Sequence, residues 1–404
     1  MICSVIYLAA NIGLALQRNY AALLVLRMLQ SCGSSATVAL GSATVADLVT
    51  RAERGKFIGY AGMGITLGPA IGPVAGGLLS QYQGWPSIFW FLTIVSAVLF
   101  LLIFTFLPET CRAVVGNGSV PSRKWNRTLW DYFQELRRGK PKETHIDRDT
   151  ISGPRRRPNP FLALKILAEK EGGVTLGYGS LLYGGYYAIL VTLSSNLSER
   201  FGFSQVTIGL CYLPIGVGSF LSRWTCGYLL DWNFRRHAKR LNIELSHKRQ
   251  QNIDILPIEM IRLQISIPFI YISCCTIIGY GWALEKKSSL AGIEISLFFC
   301  GLFFSGALNG LNTLIVDTHA NQPATAVAAN NLFRCLVGAG AAALALPLIH
   351  KIGMGWMGML VAGIWVAFSP CLWLVLFHGA KWRQDLKVKR EKRDAEQQQV
   401  VNST

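Results

Sequence analysis

Residues 86–108 read PSIFWFLTIVSAVLFLLIFTFLP, 23 positions without one charged side chain. Crossing the hydrocarbon core of a bilayer takes about 20 apolar residues in a helix, because every backbone donor and acceptor must be bonded internally there. This stretch therefore predicts a membrane-spanning helix. Working outward from it, comparable segments lie at 1–16, 20–48, 57–79, 173–195, 203–230, 262–284, 290–317, 324–350 and 355–378, giving ten spans in all. The whole chain of 404 residues is 51% hydrophobic and 15% charged, whereas a soluble domain is usually about a quarter charged. The segment at 1–16 begins at Met1 without a charged leader, which reads as a span and not as a signal peptide. The fold class expected is an all-α, polytopic membrane protein with about ten transmembrane helices.

The net charge of +17 raises the question of nucleic acid, and its placement answers it. Of the 39 lysines and arginines, 31 fall in the segments 49–56, 109–172, 231–262 and 379–404. The loops at the other ends of the spans hold Arg18, Arg200, Lys286, Lys287 and Lys351. Basic residues collect on the cytoplasmic side of membrane proteins, so both termini are expected in the cytoplasm. No basic-aromatic motif for nucleic acid accompanies the charge, and lipid is the expected partner surface. The ten cysteines form no C-x-x-C pair or other metal-binding spacing; no metal and no cofactor are expected. There is also no phosphate-binding G-x-x-x-x-G-K-S/T, no H-E-x-x-H and no G-x-S-x-G, which argues against an enzyme and against ATP as the energy source.

Four spans make an N-terminal bundle at 1–108. A hydrophilic central loop follows at 109–172, then a six-span bundle at 173–378 and a charged tail at 379–404. Within the loop, Trp125, Leu129, Trp130, Phe133 and Leu136 form a helical apolar stripe flanked by Arg127, Arg137 and Arg138, suited to lie along an anionic leaflet. Residues 139–158 read as a flexible linker, and the tail from Lys381 as a frayed helix. The halves echo each other. The second span ends in Ala46-Asp47 before a short polar loop and a glycine-rich span; the eighth ends in Val316-Asp317 before a short loop and the run Ala324 to Ala329. Repeated helix sets of this kind build secondary transporters, with the solute site at the repeat interface.

Four local patterns carry a family resemblance. The third span contains Gly59, Gly68, Gly72-Pro73 and Gly76-Gly77; small residues at four-residue spacing allow close helix approach, and prolines remove backbone donors. The second span contains Leu23, Arg27, Gln30 and Gly33, with Ser31 and Ser34 on the arginine's face. The sixth ends in Gly227-x-Leu229-x-Asp231-x-x-x-Arg235-Arg236, and the fourth in Leu107-Pro108-Glu109-Thr110. Taken together they resemble the major facilitator superfamily, and within it the fungal drug:proton antiporters with twelve spans. The resemblance implies a secondary transporter, working as a monomer by alternating access in the plasma membrane and exchanging a small molecule for a proton. It implies proton coupling at Arg27, with Asp47 at the end of the same span. It implies packing and gating roles for Gly59, Gly68, Gly72, Pro73, Gly76, Gly77, Gly227, Asp231, Arg235 and Arg236. Aligned in this way, the first span matches the family's third helix, so two helices would lie before Met1, the chain being either a piece of a longer protein or a natural short form.

Polar side chains inside spans are expensive and usually face a cavity. Candidates for the solute are Arg27, Gln30, Ser34, Tyr186, Arg223, Asn309, Asn312, Asn330, Asn331 and Arg334; Tyr183, Tyr187 and Asp317 lie nearby in sequence. Arg27, Arg223 and Arg334 are embedded, whereas Asp47, Asp231, Asp317 and Glu294 sit at span ends. Guanidinium forks suit carboxylates, which points to an organic anion such as citrate. A multidrug exporter of cationic or amphiphilic compounds is the competing reading, and a non-transporting or sensor form a third.

Overall fold

The computed structural model describes residues 1–48, 54–110, 161–241, 257–319 and 323–403, with the isolated positions 115, 128–130, 132 and 137. Most of the amphipathic stripe around Trp125 and all of the linker 139–158 lie outside the described residues; Trp130, which is described, sits against Phe106 with ring centroids 6.1 Å apart.

Every regular element among the described residues is a helix: α1 (Ile2–Leu16), α2 (Tyr20–Leu48), α3 (Arg54–Gln83), α4 (Pro86–Phe106), α5 (Phe161–Ala168), α6 (Lys170–Phe201), α7 (Gln205–Leu210), α8 (Leu213–Arg240), α9 (Ile258–Glu285), α10 (Leu290–Thr318), α11 (Pro323–Ile352) and α12 (Met354–Ser403). Among the described residues, seven segments are long and apolar enough to cross a bilayer, and Ile2–Leu16 is a shorter apolar helix. The outer faces explain why these helices need lipid. On α4, Trp90, Phe91, Ile94, Val98, Leu101 and Leu102 are all exposed, a patch of a size that soluble monomers do not leave in water. The chain is a multi-pass membrane protein. One detail departs from the sequence reading: the sixth span is broken at Cys211–Tyr212 into α7 and α8. The tail, expected to be helical, continues α12.

The chain divides into two compact units, Met1–Gly64 with Ala75–Pro158, and Ile65–Val74 with Asn159–Thr404. In the first, α1 packs on α2 and α4 around Leu14, Ala15 and Phe89. Gly33 allows the α1–α2 crossing: a Cβ there would stand 2.8 Å from the Cys3 carbonyl oxygen and the Tyr7 nitrogen.

In the second unit α8 packs on α10, α9 on α10 and α12, and α6 on α11 and α12. The core is aliphatic and aromatic, with Trp365 and Tyr280 its largest fully buried members. Small residues set the α8–α10 distance. A side chain at Gly218 would collide with the Phe298 carbonyl, and one at Gly301 with the Ile215 carbonyl; Ser305 donates to Ser219 across the same seam at 2.9 Å. Close backbone approach stitched by hydroxyls is how helices associate where no hydrophobic drive separates protein from lipid. The piece Ile65–Val74 belongs here as well. Ala70 packs against Gly216, and a Cβ on Gly209 would meet the Pro73 carbonyl at 2.6 Å.

Candidate functional site

In the first unit, Arg27 is held and not buried. Its side chain reaches three residues along α2, where Nη1 donates to Gln30 Oε1 at 3.0 Å, and its guanidinium lies 4.9 Å from the centroid of the Phe89 ring. Gln30 in turn donates through Nε2 to Asn11 Oδ1 at 2.7 Å, and Asn11 donates to the Tyr7 carbonyl at 2.8 Å. Gln30 and Asn11 are buried, so a polar chain runs from the core of the unit to a charge at its surface. Ser34 is exposed, its hydroxyl donating back to the Ser31 carbonyl at 3.2 Å. The side chain of Asp47 lies outside the described residues.

In the second unit, α6, α10 and α11 bring most of the named groups together. Arg334 Nη2 donates to Asn331 Oδ1 at 2.9 Å, the guanidinium stands 4.5 Å from the Tyr183 ring centroid, and Tyr183 packs on Tyr187 at 4.3 Å. The Nε of Arg334 is buried, and no group among the described residues accepts from it. Asn330 donates to Asn312 Oδ1 at 2.6 Å, tying α11 to α10, so the asparagine that shares a face with Arg334 is committed to a crosslink. Asn309 lies half-buried one turn before Asn312. Tyr186 turns away into the core, its ring stacked 3.9 Å from Phe304, which stacks in turn on Trp365; its ring is a packing element. Arg223 is exposed on α8 beside exposed Trp224 and makes no hydrogen bond or ion pair among the described residues.

The gate candidates divide differently from their sequence order. Gly59, Gly68, Gly72, Pro73, Gly76 and Gly77 all lie in α3. A Cβ on Gly68 or Gly72 would meet nothing within 4 Å, and one on Gly76 only Ile88 at 4.0 Å; the close approach falls instead at Ala70 and Pro73. Gly227 also faces open space. Asp231, Arg235 and Arg236 are exposed, Arg236 lying 5.4 Å from the Trp232 ring centroid. Asp317, at the end of α10, does have a partner: its Oδ2 pairs with Arg262 at 3.1 Å.

Sequence reasoning passed over the groups that staple this end of the second unit. Arg383 of α12 pairs with buried Glu259 at the start of α9 (3.1 Å). His319, just past α10, meets Glu169, which precedes α6, at 3.0 Å. Asn233 donates to the Ile261 carbonyl at 2.7 Å and His237 meets Gln264 at 2.9 Å. The partners lie up to 150 residues apart, so no local spacing announces them.

Comparison with known proteins agrees with this architecture. The Major Facilitator Superfamily profile matches residues 1–343. MFS-type transporter R5 of Phoma sp. (strain ATCC 20986 / MF5453) is 46% identical over 95% of this chain and 72% of its own length. MFS-type transporter clz19 of Cochliobolus lunatus is 44% identical over 94% and 71%. Citrate exporter 1 of Aspergillus niger is 32% identical over 94% and 72%. Among solved structures, the human organic anion transporter MFSD10 (TETRAN) superposes with a TM-score of 0.56 over 92% of this chain and 75% of its own, at 18% identity, a likeness of all-α fold alone. The relatives are transporters and not enzymes, and the chain belongs to the major facilitator superfamily.

Proposed function

We propose that this transporter exports a small organic anion, a carboxylate such as citrate, in exchange for protons by alternating access. The observation that carries the reading is Arg334. A guanidinium oriented by Asn331 and Tyr183, with its Nε buried and unclaimed by protein, keeps donors for a planar carboxylate, which guanidinium forks fit in two-pronged fashion. The relation to Citrate exporter 1 of Aspergillus niger supports the same class of solute. Arg27, restrained by Gln30 and Phe89, is the group whose interactions change with proton coupling, together with Asp47. Asn309 and Asn312 supply further polar positions in the second unit. Asp231, Arg235 and Arg236 act at the cytoplasmic gate with the Arg262–Asp317 pair. Both termini face the cytoplasm, as the segregation of basic residues supports, and the plasma membrane is the site of export by a monomer.

A second reading has its own support. The rings of Tyr183 and Tyr187 pack 4.3 Å apart beside Arg334, and aromatic faces also attract organic cations. Efflux of labelled citrate and of a cationic dye from cells expressing the chain, with and without a protonophore, separates the two. Citrate efflux abolished by the protonophore and by Arg334→Ala supports the anion exporter. Dye efflux without citrate efflux overturns it.

A further inference from the structure

Glu294 lies on the fifth residue of α10, at the opposite end of that helix from Asp317. Both of its carboxyl oxygens are buried, and neither accepts a hydrogen bond from any backbone or hydroxyl donor. Its polar neighbours come from two other elements. The Cys211 thiol at the α7–α8 break lies near the carboxyl without a hydrogen bond to it, and a thiol is in any case a weak donor. Tyr280 of α9 presents a hydroxyl that is likewise buried and unpartnered; around it stand Tyr212, Cys300 and Arg200.

Among the described residues no cation pairs with the carboxyl, and Lys351 of the same side is exposed. Arg200 pairs with Glu285 at 3.0 Å and donates to the Leu284 carbonyl. Lys286 lies 5.8 Å from the Trp282 ring centroid, and Lys287 is exposed. An ionised carboxylate removed from water without a cation or strong donors is among the most unfavourable groups a protein can hold, and an ionisable residue inside a membrane helix is a functional hypothesis by default. The local packing explains why the acid is enclosed. Glu294 precedes Phe298, Gly301 and Ser305 along the face of α10 that meets α8 at closest approach, so sliding or parting of that seam would admit water to the carboxyl.

We propose that Glu294 is a proton-carrying site of this transporter, neutral while the α7–α8 break is packed over it and ionised when the seam opens. This rests on the proton-exchange reading above. In the step, the O–H bond of the carboxylic acid breaks, the proton passes to a water molecule entering the seam, and the carboxylate remains, solvated, until it takes a proton back. No oxidant or further reactant is required.

The test uses the purified full chain. Infrared spectra of the wild type and of Glu294→Gln are compared at neutral pH, and the same proteins are reconstituted for citrate uptake with and without an imposed pH gradient. The expected result is a protonated-carboxyl stretch present in the wild type and missing in Glu294→Gln. With it, gradient-driven uptake falls at least tenfold in Glu294→Gln while exchange of citrate for citrate persists. Glu294→Asp, which keeps the titratable group, retains gradient-driven uptake with a displaced pH profile and shows that the Gln variant's loss is not misfolding. The proposal is overturned if no such band distinguishes the two proteins, or if Glu294→Gln follows the wild-type pH profile. If the wild type itself ignores the gradient, proton exchange falls; a band lost in Glu294→Gln would then mark a permanently neutral structural acid, which also overturns the carrier role.

Discussion

The buried chain Arg27–Gln30–Asn11 allows a quantitative test of the first unit. Replacing Gln30 with Leu removes the acceptor for Arg27 Nη1 and the donor to Asn11 Oδ1, bonds of 3.0 and 2.7 Å. Asn11 is fully buried, so its orphaned carbonyl oxygen costs about 1–3 kcal/mol. Asn11→Leu orphans the Gln30 amide at a similar cost. Replacing both by apolar groups is expected to be nearly neutral at that pair, leaving only the loss at Arg27. The double variant should therefore be more stable than the sum of the single effects. Hydrogen bonds between membrane helices average about 0.6 kcal/mol, with a maximum near ~1.7, and that is the coupling expected. The assay is chemical unfolding of the detergent-purified protein in a double-mutant cycle. Additivity within about 0.3 kcal/mol, the value typical of independent sites, would refute the argument that these side chains act as one chain.

Three further outcomes follow from the second unit. Gly301→Val drives a branched side chain into the Ile215 carbonyl and should cost about 3 kcal/mol or more, beyond ordinary overpacking, seen as loss of monodisperse protein on size exclusion; Gly363→Ala, where a Cβ meets nothing within 4 Å, should elute like the wild type. Asp317→Asn leaves Arg262 with no carboxylate at side-chain exposures of 14% and 24%, and the loss should stay under the roughly 3–5 kcal/mol of a fully buried pair because water reaches both groups; the reversal Arg262→Asp with Asp317→Arg should recover part of the thermal stability lost in either single change. Arg334→Lys keeps the charge and surrenders the planar fork, so citrate affinity by calorimetry should weaken about tenfold, the worth of one hydrogen bond to a charged group at ~1.4 kcal/mol.

The helices were legible because apolar runs of spanning length leave few alternatives, and residues 86–108 alone require lipid. One local pair was legible too: Arg27 and Gln30 lie three residues apart in one motif, and the structure joins them; the bond between Arg334 and Asn331 was not anticipated. What depends on the register between helices was not legible. Asn330 was read as a solute candidate, yet its amide meets Asn312 on another helix. Asn11 is one polar residue in an apolar segment, with no period to mark it as the anchor of Gln30. Tyr186 reads like Tyr183 and Tyr187 in sequence, and only the position of Phe304 turns its ring into core. Glu294 was read at a span end, and it is the fifth residue of α10; what no local pattern showed is that both of its carboxyl oxygens are buried. The glycines of α3 illustrate the same limit from the other direction. Their spacing promised close packing at Gly68 and Gly72, whereas the neighbouring helix approaches at Ala70 and Pro73.

The central claim, that the transporter recognises an organic anion through Arg334, is tested most directly by citrate binding to the purified wild type and to Arg334→Ala by calorimetry at low ionic strength. The account predicts measurable binding by the wild type and a loss of at least tenfold in affinity on removing the guanidinium. Equal citrate affinity in both proteins, or binding of a cationic dye with none of citrate, would contradict it.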